Sequence, residues 1–288
     1  MGHQRAYEAT PLSRFPPELA AGTARMSAMD ATPAPLIPAQ RREELMRHLR
    51  RAGVLSVRQL MEILSVSHMT VRRDIATLER EGRAHTIPGG VRLASALREE
   101  PPYAVKLGSE HQQKLAIAAC AEGFLHDGMT VYLDAGTTTG ALVPGIVAHK
   151  DMTVITNDFA ISAALMESGS VEIIQVGGRI ESLNRSTVGD LAAKMLAGLN
   201  TDLAFLSTSS WDIQRGLTTP NESKIGPKLA AIATSSCAML LASSSKFGRV
   251  GLYTVVPLTT FDRIITDQRL SSAAAQGIRD LGIEIDLV

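Results

Sequence analysis

Two hydrophobic rhythms divide this chain. Between Ser56 and Leu78 apolar residues return every three or four positions: Val57, Leu60, Met61 and Leu64 make one stripe, and Val71, Ile75 and Leu78 a second. That spacing predicts two short amphipathic helices. Ser65-Val66-Ser67 interrupts them, and Ser56 and Ser67 stand where a hydroxyl can accept from the first-turn amides of each helix. Upstream, Leu45, Met46 and Leu49 predict a further helix over Arg41–Arg51. Downstream, Ala84–Leu93 predicts two short strands around a Pro88-Gly89-Gly90 turn. Together these pieces predict a winged helix-turn-helix.

From Glu110 onward the rhythm changes. Gln112–Leu125 predicts a helix, Met129–Asp134 a strand, and Ala141–Val147 a return to helix after Ala135-Gly136-Thr137-Thr138-Thr139-Gly140. Further strands are predicted at Thr153–Thr156, Val171–Val176, Leu203–Ser207, Ala238–Ala242, Arg263–Thr266 and Ile283–Leu287. Strands alternating with helices predict an α/β domain with a largely parallel sheet, whose ligands collect where loops leave the carboxyl ends of strands.

Length and composition set the boundaries. A chain of 288 residues suits one small and one larger domain. The expected division is an N-terminal arm over 1–37, the winged helix-turn-helix over 38–93, a linker over 94–109 and the α/β domain over 110–288. The arm scatters Pro11, Pro16, Pro17, Pro33 and Pro35 among small and polar residues, and reads as disordered or as lying upstream of a start at Met26 or Met29. Pro101-Pro102 marks the linker, whose Arg98, Glu99 and Glu100 read equally well as solvated surface. Cys120 and Cys237, far apart in apolar settings, are expected as reduced buried thiols. No run reaches 18 apolar residues and no secretory segment opens the chain, so neither membrane insertion nor a metal site is expected, and the predicted location is cytoplasmic.

Charge changes the picture more than composition does. The whole chain balances at zero, yet residues 38–93 hold eleven arginines, no lysine and six carboxylates. A local cationic surplus built from arginine suits phosphates and base edges. In a helix-turn-helix the second helix enters the major groove by its N-terminal end, which makes Ser67, His68, Met69, Thr70, Arg72 and Arg73 the candidate DNA-contacting residues. Either arginine can instead grip a guanine bidentately. The plainer alternative is a small helical domain with ordinary surface arginines.

The run Val66-Ser67-His68-Met69-Thr70-Val71-Arg72-Arg73-Asp74-Ile75, with the later Pro88-Gly89-Gly90, resembles the DNA-binding domain of DeoR-type (DeoR/GlpR) bacterial transcription regulators. The resemblance continues to the C-terminus and implies a sensor domain similar to sugar-phosphate isomerases. From the local sequence alone, Asp134-Ala-Gly-Thr-Thr-Thr139 is either an anion-binding turn or an ordinary strand-to-helix turn capped by threonines. The resemblance implies the former, with Asp134, Gly136, Thr137 and Thr138 in a phosphosugar site. It also brings in Asn157, Gly177, Gly178, Glu222 and Lys246 as effector-binding positions. In that site Gly136 would let the backbone close on the phosphate and Thr137 and Thr138 would donate hydroxyls. Lys246 would supply charge, and Asp134, Asn157 and Glu222 would read sugar hydroxyls. Each has a plainer role open to it: a turn at Gly177-Gly178, a helix cap at Asn157-Asp158, solvent for Lys246. Arg179, Arg185 and Lys224 are further basic candidates that the sequence does not place.

Two departures from the family pattern bear on the ligand. Leu241-Ala242-Ser243-Ser244-Ser245-Lys246 lacks the aspartate that many relatives carry before Ser-Ser-Lys. Ser207-Thr208-Ser209-Ser210-Trp211 replaces a loop that is often glycine-rich. That loop is similar to the one in regulators of sugar-acid catabolism within the family. Trp211, the single tryptophan, either packs in the core or flanks the pocket. The expectation is a sequence-specific regulator, a repressor of a carbohydrate or sugar-acid operon. Its partners are operator DNA, a phosphorylated sugar or sugar-acid effector and a second copy of itself, with no cofactor. The competing class is a phosphosugar isomerase with an appended DNA-binding domain, for which Asp134 or Glu222 would be the general base.

Overall fold

The small domain is built on capped helices around one apolar centre. Helices Pro38–Ala52, Val57–Leu64 and His68–Arg80 turn their stripes inward, burying Leu45, Met46, Leu49, Leu60, Leu64, Val71, Ile75 and Leu78. Ser56 accepts from the Gln59 amide at 3.1 Å while the Gln59 side chain accepts from the Ser56 amide at 2.9 Å, a reciprocal cap. Ser67 accepts from the Thr70 amide at 3.3 Å and opens the third helix. Strands Ala84–Ile87 and Gly90–Leu93 form the wing, and Val54–Ser56, which periodicity did not predict, pairs with the second of them. Two buried carboxylates tie the pieces together. Asp74 receives the Arg41 guanidinium from the first helix, and Glu79 receives the Thr86 amide and hydroxyl from the wing, both at 2.9 Å.

The computed structural model describes residues 36–97 and 99–288. The expected arm with Met26 and Met29 lies outside the described residues except for Leu36 and Ile37, as does Arg98. Ile37–Val288 is one compact unit.

The large domain carries a seven-stranded, all-parallel sheet. Its order runs Glu284–Leu287, Arg263–Thr266, Ser235–Leu241, Thr201–Ser207, Thr130–Leu133, Thr153–Thr156, Glu172–Gln175. The first three strands in the chain step one way from Thr130–Leu133, and the later four step the other way from Thr201–Ser207. The winding direction therefore reverses between those two neighbours. Side chains alternate across the sheet as the strand period requires. Val131, Leu133, Leu203 and Phe205 enter one apolar layer with Ile117, Leu142 and Leu165, whereas Tyr132, Ala204 and Leu206 enter the other with Leu196, Ala231 and Ala275.

Several smaller elements are additions to the sequence reading. A three-stranded sheet joins Ser210–Asp212, Gly216–Thr219 and Tyr253–Val256, and Arg179–Glu181 pairs with Ser186–Val188. The helix expected over Ala141–Val147 is the shorter Val143–Val147, and a separate short helix, Thr137–Gly140, precedes it where a turn was expected. The stretch 94–109, expected as a linker, contains strand Ser95–Leu97 and helix Tyr103–Gly108. It is held because Glu100 is no solvated residue: its side chain is 8% exposed and meets Lys224 at 2.8 Å and Lys106 at 3.4 Å. Cys120 and Cys237 are free and half-buried. Among the described residues, no helix is long and apolar enough to cross a membrane.

Candidate functional site

On the small domain, the buried stripe of helix His68–Arg80 fixes what the opposite face presents. His68, Met69, Arg72 and Arg73 are exposed at its N-terminal end, Met69 with 67% of its surface open, and Thr70 is half-buried beside Ser67. Ser67 stays exposed while its hydroxyl caps the helix and meets the Thr70 hydroxyl at 3.0 Å. Arg72 Nε lies 3.4 Å from His68 Nε2. All six positions singled out from the sequence thus gather at one end of one helix.

On the large domain, a cavity of about 380 Å³ opens at the reversal point, between the ends of Thr130–Leu133 and Thr201–Ser207. This is where doubly wound sheets leave a crevice. Asp134, Gly136, Thr137, Thr138, Asn157 and Lys246 all line it. Gly177 and Gly178 do not, and Glu222 lines a separate surface depression with Arg179, Asp190 and Tyr253. Of the other basic candidates, Lys224 is in the cavity wall, while Arg185 lies over the Tyr103 ring at 4.9 Å.

The turn after Leu133 is pinned by its neighbours. Asp134 is buried and accepts from the Ser207 amide at 2.9 Å, from the Ser207 hydroxyl at 3.0 Å and from the Lys228 ammonium, which also donates to the Ser207 carbonyl at 2.7 Å. Asn157 is equally committed: Oδ1 receives Tyr132 Oη at 3.1 Å and the Ala135 amide at 2.9 Å, and Nδ2 donates to the Thr187 carbonyl at 2.9 Å. The backbone of Gly136 is extended and its glycine identity is set by space, since a Cβ there would stand 2.8 Å from Ser207 Oγ. Thr139 ties its hydroxyl to the Asp134 carbonyl at 2.6 Å. By contrast the hydroxyls of Thr138 and Ser186, both buried and both in the cavity wall, have no hydrogen-bond partner. Buried polar groups in folded proteins are nearly always paired, so these two are open valences.

The wall is cationic. Lys106, Lys224, Lys228, Lys246 and Arg249 face Glu100, Glu110 and Asp134. Burial would raise the Glu100 carboxyl, but Lys224 and Lys106 override it and hold it down at about 2. Burial lowers Lys224, yet Glu100 and Glu181 outweigh that and leave its ammonium raised. Burial, followed by the like charges of Lys106 and Lys114, pushes Lys246 down to about 8. Glu110 is occupied by the hydroxyls of Ser243 and Ser245 at 2.8 and 2.9 Å. Sequence reasoning did not reach Lys106, Ser186, Lys228 and Arg249. Of these only Lys228 leaves a trace in the sequence, a lysine inside the otherwise apolar run Ile225–Ala233. Trp211 is fully buried against Phe247, with ring centroids 4.9 Å apart, and is not part of the cavity wall.

Residues 109–268 match the family described as DeoR C terminal sensor domain, and residues 41–96 match the DeoR-like helix-turn-helix domain. An uncharacterised HTH-type transcriptional regulator of Haemophilus influenzae is 42% identical over 253 residues, 88% of this chain and 98% of the relative. The glycerol-3-phosphate regulon repressor of Escherichia coli (strain K12) is 25% identical over 248 residues, covering 86% and 98%. Among solved structures, ribose 5-phosphate isomerase A from Methanocaldococcus jannaschii aligns with 48% of this chain and 55% of its own, at 15% identity and a TM-score of 0.36.

Proposed function

From a chain that belongs to the DeoR family of helix-turn-helix transcriptional regulators, we propose a repressor of a carbohydrate or sugar-acid operon whose cavity at the sheet reversal binds a phosphorylated sugar or sugar acid. The carrying observation is the pair of unpartnered buried hydroxyls, Thr138 and Ser186, in a wall where five basic side chains face three acidic ones. An anionic group with several acceptor oxygens satisfies both hydroxyls and the surplus charge at once. Thr137 and Thr138 open the short helix at the phosphate end, Gly136 lets the chain pass close to Ser207, and Lys246 and Arg249 face the rest of the ligand. Asp134 and Asn157 shape the turn through bonds within the protein and do not spend them on a ligand. Glu222, Gly177 and Gly178 have no part in this reading.

The same bonds speak against the isomerase alternative. A general base needs a carboxylate free to take a proton. Asp134 is neutralised by Lys228 and occupied by Ser207, and Glu222 is outside the cavity. On the DNA side, Arg72 and Arg73 hold phosphates or a guanine edge, Met69 meets apolar base surface such as a thymine methyl, and His68 and Thr70 reach base edges. Reading two half-sites about one helical turn apart takes a second copy of the chain. The test is a thermal-shift series with sugar phosphates, phosphorylated sugar acids and their unphosphorylated parents, followed by mobility shift on the DNA upstream of the protein's own gene. Stabilisation by phosphorylated compounds alone, with altered DNA retention, is the expected result. Equal stabilisation by the unphosphorylated parents would end the proposal.

A further inference from the structure

One segment faces the cavity on one side and the DNA-binding domain on the other. Ser245, Lys246 and Arg249 line the cavity, and Phe247 and Gly248, between them, face the wing. The Phe247 ring meets the His85 ring edge to face, with centroids 5.3 Å apart, and the Trp211 ring at 4.9 Å. Arg92 donates to the carbonyls of Ser245 at 3.4 Å and Phe247 at 3.3 Å. His85 and Arg92 are direct cross-strand partners in the wing hairpin, so a single register pair makes both contacts. Gly248 has φ +75, in the left-handed region, and a Cβ there would overlap the His85 imidazole at 1.9 Å, which fixes how closely the segment approaches the wing. Beyond it, Arg249–Gly251 pairs in parallel with Ser95–Leu97, the strand that leaves the wing.

Charge gives this contact a direction. Burial, and next the like charge of Arg249, lower the basicity of Arg92. Arg249 faces the cavity while Arg92 belongs to the wing, so the two cations oppose each other across the junction whenever no anion is bound. The other end of the segment is firmly held: Ser244 donates to Asp267 from its amide at 2.7 Å and its hydroxyl at 2.8 Å, and Trp211 Nε1 donates to the Ser243 carbonyl at 3.4 Å. Ser245–Arg249 thus runs from that anchor to the strand paired with Ser95–Leu97, touching the cavity and the wing along the way.

We propose that Ser245–Arg249 couples cavity occupancy to the wing: an anion held by Lys246 and Arg249 relieves the repulsion of Arg92, and the wing seats more firmly on Phe247. This rests on the anion-binding reading of the cavity. It places the coupling in a segment remote in sequence from the DNA-binding domain, in addition to the direct chain connection through 94–109. The coupling requires that the anion interact differently with a firmly and a loosely seated wing.

The experiment is hydrogen exchange on the full chain, in inorganic phosphate and in chloride of equal ionic strength, for unaltered protein, Arg92→Gln and Phe247→Leu. Phosphate is expected to slow exchange in residues 134–140 in all three proteins, and to slow wing residues 84–93 by roughly threefold or more only in the unaltered protein. Protection of 134–140 with no change in the wing would overturn the coupling and leave the cavity reading standing. Wing protection that persists undiminished in both variants would also overturn the coupling. Absence of protection at 134–140 would overturn the cavity reading, and the coupling would fall with it. Thermal melting of both variants in chloride checks that they are folded, and the two substitutions act on different contacts, so loss of one protein leaves the other to decide.

Discussion

The Lys228 ammonium donates to the Asp134 carboxylate where the sheet changes winding direction, with 8% and 3% of the two side chains exposed. The pair joins a helix to the end of a strand 94 positions earlier, and its bond to the Ser207 carbonyl closes the gap between the two central strands. The cavity floor is therefore made of charges that satisfy each other, and the hydroxyls left over are those aimed at the space above.

Removing one member of that pair strands the other. Lys228→Met is expected to cost about 3–5 kcal/mol, because Asp134 stays buried without its counter-ion. The double variant Lys228→Met with Asp134→Asn is expected to recover a large part of that loss. Urea unfolding of the three proteins measures it, and equal loss in the single and double variants would show that the pair is not the source.

Arg72→Ala and Arg73→Ala are expected to weaken operator binding while leaving the melting transition in place, since both side chains are exposed. If each holds a phosphate, each substitution lowers the slope of log affinity against log salt by about one. An arginine that grips a guanine instead costs about 1–3 kcal/mol and relaxes preference at one base pair. Fluorescence anisotropy on specific and scrambled duplexes separates these outcomes.

Thr138→Val is expected to move two quantities in opposite directions. Without ligand the protein gains stability or stays level, because an unpaired buried hydroxyl is replaced by a methyl of similar size. With a phosphorylated ligand the affinity falls by about 1.5–3 kcal/mol, the value of a hydrogen bond to a charged group. Calorimetry with and without the ligand checks both signs; a drop in apo stability would mean that the hydroxyl already has a partner.

Burial and the neighbouring lysines bring Lys246 down to about 8, so its positive charge is present below that pH and lost above it. Affinity for a phosphorylated ligand is expected to fall as pH rises through this range, and Lys246→Arg to abolish the fall because a guanidinium stays charged. Isothermal titration on both sides of that pH is the measurement.

His85 is buried, neither ring nitrogen has a hydrogen-bond partner, and burial, then Arg92, lowers it from 6.5 to about 4. As pH falls the unfolded chain takes up this proton first, so stability is full above pH 6.5 and declines until about 4. The contribution is roughly 3 kcal/mol. Glu100 acts lower, losing its contribution as pH falls from 4.5 toward about 2. His85→Phe, tested by urea unfolding across the range, is expected to flatten the upper window and leave the lower one.

What the sequence alone determined is whatever depends on near neighbours in the chain. Apolar stripes every three or four residues and serines at helix starts were enough for the winged helix-turn-helix, and Thr153–Thr156 and Arg263–Thr266 form strands with the bounds their β-branched runs predict. The exposed positions at the start of helix His68–Arg80 were legible for the same reason, because a helix shows on one face whatever it does not bury on the other. Tertiary structure decided the rest. Lys106, Ser186 and Arg249 carry no local signature of a site, Lys228 shows only as a lysine inside an apolar run, and the four line one cavity because the sheet reverses between Thr130–Leu133 and Thr201–Ser207. Pro101-Pro102 reads locally as a linker, yet Glu100 finds Lys224 at a separation of 124 positions and the stretch becomes a wall of the cavity. Periodicity records which side of an element meets apolar neighbours; the distance between two charges is set by how the elements pack, and that packing decided which buried hydroxyls of the cavity wall were left without a partner.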